Sequence, residues 1–429
     1  MLFSGVSGAL LPLALLSVGV IYAAVLRLFP LRHPVRTVRR MMGEDRGDAL
    51  RALSMALAGT LGVGNIAGVA LAIALGGAGS VLWMWVSALV AAFLKYAEIL
   101  LAFLYRDGGR GGAMYYMRDG IGGRLGRLLA VLFSVLCLAS AFTLGGAVQA
   151  NAVAESLSLY SVPPLFSGTL LVAFCALVVF GGAKRISRLT SYLIPLLTAL
   201  YLFLSLFAIF RCIDRLPEVF RLILSDAFTP KAPAAGVGAF LSVRCIRYGV
   251  TRGLVSNEAG AGTAPLAHVT AKNGGVSQGI LGMAEVFIDT VVLCSLTAFV
   301  LLLHTPSPDA SRGGITLVLD AFCALVGDWT RAPLILSVVL FVYATVIAWC
   351  YYGESALAYL TKSKRARRVY LCLFLVVLFL GSIGADGTLW ELTDLSLSAM
   401  TLLNLFALLF LLSEVKKETS KELFTNKRE

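Results

Sequence analysis

Apolar residues occur along this chain in long, nearly unbroken blocks, and short polar segments separate one block from the next. Each block approaches the roughly 20 residues that a helix needs to cross the hydrocarbon core of a bilayer. The pattern predicts an all-α polytopic membrane protein with about 11 transmembrane helices, spans 1 to 11, and no soluble domain between them. The predicted ranges are 8–29, 53–75, 80–105, 127–156, 163–181, 190–211, 236–270, 277–303, 333–360, 368–383 and 389–413.

The composition agrees with a membrane protein, since 59% of the residues are hydrophobic and 14% are charged. The net charge of +12 is also found in nucleic-acid-binding proteins, but here the basic residues lie in loops at alternate block ends. Membrane topology explains that distribution better than a nucleic acid partner does. The eight cysteines include no Cys-x-x-Cys pair and lie mostly inside apolar blocks, so neither a disulfide framework nor zinc is indicated.

The loop charges predict the orientation of the helices. Basic residues crowd the loops after spans 1, 3, 5 and 9, whereas the loops at 76–79, 157–162 and 384–388 contain none. By the positive-inside rule, the N-terminus is outside and the C-terminus, with a tail at 414–429, is cytoplasmic. The predicted outer loop at 212–235 carries three basic residues, and long loops obey this rule less strictly.

Spans 2 and 7 differ from the others because each contains a glycine-rich stretch. Residues 59–68 include four glycines, and residues 253–265 include three and end in a proline. Each glycine costs a helix about 1 kcal/mol relative to alanine, so both spans are predicted to be broken helices. Packing between small residues is the alternative explanation. The polar residues beside the glycines favour a break, because they need partners or water in hydrocarbon; they are Asn65, Ser256, Asn257 and Glu258.

The broken spans lie five spans apart, as the first helices of two five-helix repeats would. The repeats are predicted at 53–211 and 236–413, with inverted topology because five is odd. The block at 8–29 lacks a basic n-region and is too long for a signal peptide, so it is an extra N-terminal helix. Residues 1–429 then form a single membrane transport domain, and its two interrupted helices indicate a binding site.

At these blocks the sequence resembles the alanine or glycine:cation symporter family, whose members are also called sodium:alanine symporters. The matches run in family order from span 2 to span 11. The matching strings are G-V-G-N-I-A-G-V-A at 62–70, G-G-A-M-Y-Y-M at 111–117, V-Q-A-N at 148–151, R-G-L-V-S-N-E-A-G-A-G-T-A-P-L-A-H at 252–268, V-F-I-D-T at 286–290, W-C-Y-Y-G-E at 349–354 and D-L-S-L-S-A-M-T-L-L-N-L at 394–405.

The resemblance implies the five-plus-five inverted repeat that neurotransmitter:sodium symporters share. It implies symport in the cell membrane of a small neutral amino acid, alanine or glycine with serine as a third candidate, driven by Na⁺ through alternating access. It implies no catalytic site, and no cofactor other than the coupling ion. The sequence departs from the family where the usual G-T-G-N reads Gly62-Val63-Gly64-Asn65 and the usual T-T reads Ala344-Thr345. Because hydroxyls are lost where cation ligands are expected, proton coupling stays an alternative.

A zwitterionic amino acid needs fixed partners for its carboxylate and its ammonium group. The helix start in span 2 presents free N–H groups to the carboxylate, and freed carbonyls in span 7 accept from the ammonium. By resemblance, Asn65 and Gln149 offer amide contacts and Trp349 closes the pocket against large side chains. An interhelical hydrogen bond is the alternative for Gln149, and an interfacial anchor for Trp349. The substrate-binding candidates are Thr60, Gly62, Val63, Gly64, Asn65, Gln149, Val255, Ser256, Asn257 and Trp349.

Sodium is a hard cation that takes oxygen ligands. By analogy with the related fold, its candidate ligands are the carbonyls of Ala58 and Leu61 and the hydroxyl of Thr345. The thiol of Cys350 is a poor ligand because sulfur is soft.

Charged residues inside the spans are the remaining candidates. Glu285 and Asp289 lie on one face of span 8, and Arg244 and Arg247 lie three apart in span 7. Charges at membrane depth are costly alone, so carboxylate–guanidinium pairs across helices are predicted. A proton relay through Glu285 or Asp289 is the functional alternative.

The other polar residues in the spans are given structural roles or none. Glu258 is expected to cap or bridge the break in span 7, and Lys95 is expected to pair with Glu98. His268 is assigned no role. The segment 315–326 is predicted to be an outer gate helix, and 212–228 to lie at the outer interface.

A channel, an intramembrane enzyme and a non-transporting sensor are the three rival functions. A channel would need a filter string or a charged ring, and an intramembrane enzyme would need a nucleophile with a base; the sequence offers neither. A non-transporting sensor of the same fold stays open. The partners expected are therefore an amino acid, Na⁺ or H⁺, and the lipid bilayer.

Overall fold

The structure is a computed structural model that describes residues 2–42, 46–228, 244–272, 274–309, 311–384 and 387–424. The described residues form an all-helical protein in which seven helices are long and apolar enough to cross a membrane. They are Ser80–Leu104, Gly123–Ser158, Lys184–Arg211, Gly275–His304, Asp328–Leu360, Lys364–Ile383 and Glu391–Phe410. These helices correspond to predicted spans 3, 4, 6, 8, 9, 10 and 11.

Four shorter apolar helices lie among them: Leu10–Val25, Ala67–Gly76, Pro164–Val179 and Gly314–Val326. The first is part of the helix Leu2–Val25, which packs against Ser80–Leu104 and Gly387–Phe410. The third corresponds to span 5, and the fourth is the expected short helix before span 9. Other helices are Pro34–Met42, Ala113–Tyr116, Leu216–Ala227 and Leu412–Phe424.

Span 2 is a broken helix, as its glycines predicted. Helix Arg46–Thr60 ends, a single 3₁₀ turn covers Val63–Asn65, and a new helix runs from Ala67 to Gly76. The last carbonyls of the first helix and the first N–H groups of the second therefore lack helical partners.

Span 7 is broken as well, between helix Arg244–Asn257 and helix Ala264–His268. Gly260 and Gly262 adopt positive φ angles of 87° and 78°, a backbone region that side chains other than glycine rarely enter. Pro265 occupies the first turn of the second helix, where its missing N–H is not needed. Residues 236–243, predicted as the start of this span, lie outside the described residues.

The two breaks meet in the interior. A Cβ atom added to Gly64 would lie 3.3 Å from the Cα of Ser256, so the break in span 2 contacts the last turn of the helix that leads into the break in span 7. The long helices Ser80–Leu104 and Gly275–Val286 pack against each other, and the first also packs against Arg244–Asn257. Helix Gly275–His304 has a π-helical stretch at Phe287–Cys294, beside the breaks; such stretches often occur at functional sites.

Candidate functional site

Gly62 is the point where three predicted site residues come together. Its N–H donates to the carbonyl of Thr60 at 3.0 Å and to Oδ1 of Asn65 at 3.3 Å. A Cβ atom at this position would lie 2.7 Å from Oγ1 of Thr345 and 3.2 Å from Oε1 of Gln149. Only glycine fits, so the break in span 2 presents its backbone directly to side chains of spans 4 and 9.

The amide of Gln149 is buried beside that backbone. The side chain is 4% exposed, and its Oε1 has no hydrogen-bond partner among the described residues. A buried amide oxygen without a donor is costly, so it is a natural contact for a bound polar group. This oxygen makes no interhelical hydrogen bond within the described residues.

Trp349 is fully buried at the same depth and is not an interfacial anchor. Its indole N–H donates to Oε1 of Glu258 at 2.9 Å, and Gly145 leaves room for its ring against span 4. Glu258 stands at a left-handed φ of 53° and accepts a second hydrogen bond, from Thr263 at 2.7 Å. Glu258 thus bridges the break in span 7, as expected, and ties it to Trp349.

Of the three predicted sodium ligands, Ala58 and Leu61 lie at the end of the first helix of span 2, and Thr345 lies in span 9. The hydroxyl of Thr345 is 3.1 Å from the carbonyl of Leu61. The N–H of Gly62 is the helical partner that Ala58 would have, but it bonds to Thr60 and Asn65 instead. The Ala58 carbonyl is therefore released by the break.

The break in span 7 releases a carbonyl too. The N–H of Ala259 donates to Oδ1 of Asn257 at 3.0 Å, so the Val255 carbonyl loses its helical partner. The Asn257 carbonyl accepts from Nζ of Lys95 at 2.6 Å, and the Ser256 hydroxyl donates to Asp289 at 2.8 Å. The side chains of Ser256 and Asn257 are therefore occupied in holding the break in place.

Asp289 connects the two breaks. Its carboxylate accepts from Nδ2 of Asn65 at 2.6 Å, from the Ser256 hydroxyl, and from the Thr290 hydroxyl at 2.8 Å. Because Asn65 also accepts from Gly62, both ends of its amide bond within the protein. Asn65 thus helps to hold the break in place, and the direct amide contacts to substrate expected by resemblance for Asn65 and Gln149 stay predictions.

The predicted ion pairs between span 7 and span 8 are wrong in their partners. Glu285 pairs with Lys95 at 3.0 Å, and His268 lies 3.4 Å from its other oxygen. Arg244 donates to the Leu75 carbonyl, and the guanidinium of Arg247 lies 5.7 Å from the centre of the Tyr248 ring. Glu285 and Asp289 are buried as expected, whereas Arg244 is exposed and Arg247 is half-buried, and only the packing of helices decides which charges face each other.

Two further expectations are corrected by the same contacts. Lys95 does not pair with Glu98, because its ammonium is taken by Glu285 and the Asn257 carbonyl. His268 is fully buried rather than solvated, with its other ring nitrogen 2.8 Å from Oε1 of Gln278. The signal for Lys95 was present, since a lysine in the middle of an apolar block requires a partner. Thr60 lies close to this group, with its hydroxyl 3.4 Å from Glu285.

A comparison with known proteins fits this geometry. The family model described as "Sodium:alanine symporter family" matches residues 3–429. The chain belongs to the sodium:alanine symporter family. As a member it is a multi-pass membrane transporter and not an enzyme.

Two relatives illustrate the similarity. The sodium/alanine symporter AgcS of Methanococcus maripaludis is 38% identical over 382 residues, which cover 86% of this chain and 83% of AgcS. The amino-acid carrier protein AlsT of Bacillus subtilis is 32% identical over 395 residues, covering 89% of this chain and 83% of AlsT.

The fold is also similar to a solved structure. The crystal structure of MhsT in complex with L-phenylalanine superposes with a TM-score of 0.66 at 13% sequence identity, covering 88% of this chain and 92% of MhsT. The protein therefore has the LeuT-like fold of that transporter class.

Proposed function

We propose that this sodium:alanine symporter family member couples the inward movement of a small neutral amino acid, alanine or glycine with serine as a third candidate, to Na⁺. The main observation behind the proposal is made at Gly62. There the unwound backbone of span 2 lies against the hydroxyl of Thr345 and against Oε1 of Gln149, which has no hydrogen-bond partner among the described residues. The relative AgcS, which is named a sodium/alanine symporter, supports the same solute and ion.

The amino acid would lie between the two breaks. The N–H groups of Val63 and Gly64, at the start of the 3₁₀ turn, would meet its carboxylate, since helix starts favour anions. The Val255 carbonyl and Oε1 of Gln149 would accept from its ammonium group. Trp349, held over the pocket by Glu258, would restrict the side chain to a small one.

Sodium would bind beside the amino acid, at the carbonyls of Ala58 and Leu61 and the hydroxyl of Thr345. The hydroxyl and the Leu61 carbonyl are already within 3.1 Å, and a small cation between such oxygens is a favourable arrangement. Thr345 supplies the one side-chain oxygen of this set, because the neighbouring family threonine is Ala344 here.

Transport would use the architecture that the sequence predicted: two inverted five-helix repeats, at 53–211 and 236–413, after one N-terminal helix. The fold shared with MhsT and the two broken helices support that arrangement. The orientation, with the N-terminus outside and the tail at 414–429 in the cytoplasm, follows from the loop arginines.

Proton coupling without sodium is the second candidate function, because side-chain hydroxyls are lost near the cation site. The relay predicted through Glu285 or Asp289 has little support, since Glu285 has a lysine partner and Asp289 has three donors. A sensor would bind the amino acid without transporting it. The uptake experiment below distinguishes such a sensor from a sodium-coupled and from a proton-coupled symporter.

The test is uptake of radiolabelled alanine into proteoliposomes containing the purified protein, with an inward Na⁺ gradient in one set and an inward proton gradient in another. Accumulation that needs Na⁺ is the expected result. Accumulation with protons alone would overturn sodium coupling. Binding of alanine without accumulation under either gradient would identify a sensor.

A further inference from the structure

The buried interior of the protein holds more carboxyl groups than cationic side chains. The buried carboxyl groups among the described residues belong to Glu98, Glu258, Glu285 and Asp289, all at most 2% exposed. The cationic candidates at this depth are Lys95 and, when doubly protonated, His268. Even with both of them charged, two carboxylates remain uncompensated. An uncompensated charge in a dry interior is costly, so protons or bound cations must neutralise the excess.

Three of the four carboxyl groups have donors on both oxygens. Glu285 faces Lys95 on one oxygen and His268 on the other. Asp289 accepts hydrogen bonds on both of its oxygens, from Asn65, Ser256 and Thr290. Glu258 accepts from Trp349 on one oxygen and from Thr263 on the other.

Glu98 is different because one of its carboxyl oxygens accepts hydrogen bonds and the other accepts none among the described residues. Oε1 accepts from Nδ2 of Asn404 at 2.8 Å and from the N–H of Gly262 at 3.3 Å. Oε2 is buried without any hydrogen-bond partner among the described residues. Lys95, one helical turn away, is engaged by Glu285. An ionised Glu98 would leave charge on an oxygen that accepts no hydrogen bond among the described residues.

The surroundings of Glu98 favour a proton over a metal cation. Asn404 uses its second amide hydrogen on the Gly260 carbonyl at 2.9 Å, and the hydroxyl of Tyr116 donates to its Oδ1. The amide is therefore fixed with its NH₂ group between the two acceptors. Apart from Oε2 itself, the oxygens named here already accept hydrogen bonds from N–H or O–H groups, whereas a proton on Oε2 needs no ligand set.

The other titratable groups near Glu98 add no nearby cation. Tyr22 of the N-terminal helix and Tyr116 of the helix Ala113–Tyr116 lie near it, and a phenol carries no positive charge in either protonation state. Tyr22 donates its own proton to the Leu408 carbonyl at 2.6 Å. On its own helix the charged neighbour is Lys95, and Glu258 at the start of the break turns its carboxyl toward Trp349.

We propose that Glu98 is a proton-binding site, protonated on Oε2 whenever the break in span 7 closes around it. Closure then takes up a proton, and opening of the break to water releases it, so that a proton accompanies the transport cycle. The role in the cycle rests on the proposed transport function. The protonation itself rests only on the geometry around Glu98.

Infrared difference spectroscopy of the purified protein tests the protonation directly. Wild-type protein should show the carbonyl band of a buried carboxylic acid that shifts in D₂O, and Glu98→Gln should lose that band. Glu354→Gln, which removes a carboxylate that pairs with Arg367 instead of with Lys95, is the matched control and should keep it. Identical wild-type and Glu98→Gln spectra, or a band lost only in Glu258→Gln, would overturn the proposal. Should Glu98→Gln fail to fold, wild-type protein with ¹³C-labelled glutamate must still show a glutamic acid band that moves with the label.

Uptake measurements test the role in the cycle. With equal pH on both sides, sodium-driven uptake by the wild type should fall several-fold as pH rises, because the proton is lost and closure then buries a charge. Glu98→Gln, permanently neutral, should take up alanine with no such dependence. The same pH dependence in both proteins would refute the coupling. Absence of uptake with an intact acid band would count against the transport function and leave the proton site standing.

Discussion

The indole N–H of Trp349 donates a hydrogen bond to Oε1 of Glu258 at 2.9 Å, and both side chains are at most 2% exposed. This bond joins span 9 to the unwound segment of span 7, so the proposed lid of the pocket and the proposed ammonium site move together. Trp349→Phe keeps an aromatic ring at this position and removes the N–H donor. Hydrogen bonds to charged groups contribute about 1.5–3 kcal/mol, so alanine affinity is expected to fall roughly tenfold or more.

Equilibrium binding of labelled alanine measures this effect, and Trp329→Phe is its control because Trp329 is 56% exposed. Combined with Glu258→Gln, Trp349→Phe should have little additional effect, since the bond is already weakened. Unchanged affinity in Trp349→Phe would mean that the bond does not shape the pocket.

Gly62→Ala should abolish both substrate and sodium binding. Its added methyl group would collide with Thr345 and approach Gln149, and the backbone of Gly62 cannot retreat without losing its bonds to Thr60 and Asn65. Gly68→Ala is the matched control, because a Cβ there meets only the Val63 carbonyl at 4.0 Å. Alanine and sodium binding are measured for both variants. Normal binding by Gly62→Ala would show that the binding site does not include Gly62.

Thr345→Val preserves the shape of the side chain and removes its oxygen. The sodium concentration for half-maximal uptake is expected to rise at least about tenfold, the equivalent of ~1.4 kcal/mol, whereas Thr345→Ser should stay near the wild type. Ser355→Ala, in the same helix, removes a hydroxyl that bonds to the Tyr351 carbonyl, outside the proposed sodium site, and should have no effect. A sodium response of Thr345→Val equal to that of Ser355→Ala would exclude Thr345 as a ligand.

Two variants of predicted site residues, Gln149→Ala and Asn65→Ala, should differ in their effect on stability although both should lose alanine binding. Oε1 of Gln149 has no partner within the described protein, so its loss should abolish alanine binding and leave the folded protein intact. Asn65 bonds to Gly62 and Asp289, so its loss should also lower the melting temperature by leaving Asp289 short of a donor. Binding and thermal unfolding in detergent, measured side by side, distinguish the two; equal melting temperatures would contradict the positioning role of Asn65.

Breaking the buried ion pair should destabilise the protein strongly. Lys95→Met leaves Glu285 with His268 alone, and removing one partner of a buried pair typically costs about 3–5 kcal/mol. The double variant Lys95→Met/Glu285→Met should recover part of that loss. Lys421→Met, which breaks an exposed pair with Glu418, should change unfolding by less than about 1 kcal/mol. Thermal unfolding of the four proteins is the measurement, and a mild effect of Lys95→Met would show that water reaches the pair.

The sequence by itself determined the membrane class, most of the helices and the two breaks, because bilayer-length apolar blocks and clustered glycines act locally. Within residues 59–68 the helix is interrupted around Gly62 and Gly64, and within 253–265 around Gly260 and Gly262, and no distant contact is needed to predict either break. Short apolar segments such as 164–179 were also placed correctly, since the length of a block sets the length of its helix.

Only the tertiary structure decided which buried polar groups meet. Glu285 and Asp289 are one helical turn apart in sequence, yet one faces Lys95 and the other faces Asn65 and Ser256. His268 is buried, and Glu98 accepts from Asn404 of a helix about 300 residues away. A charge in hydrocarbon must find a partner, which the sequence can show, but the partner depends on how distant helices pack, because side-chain contacts extend only a few ångströms.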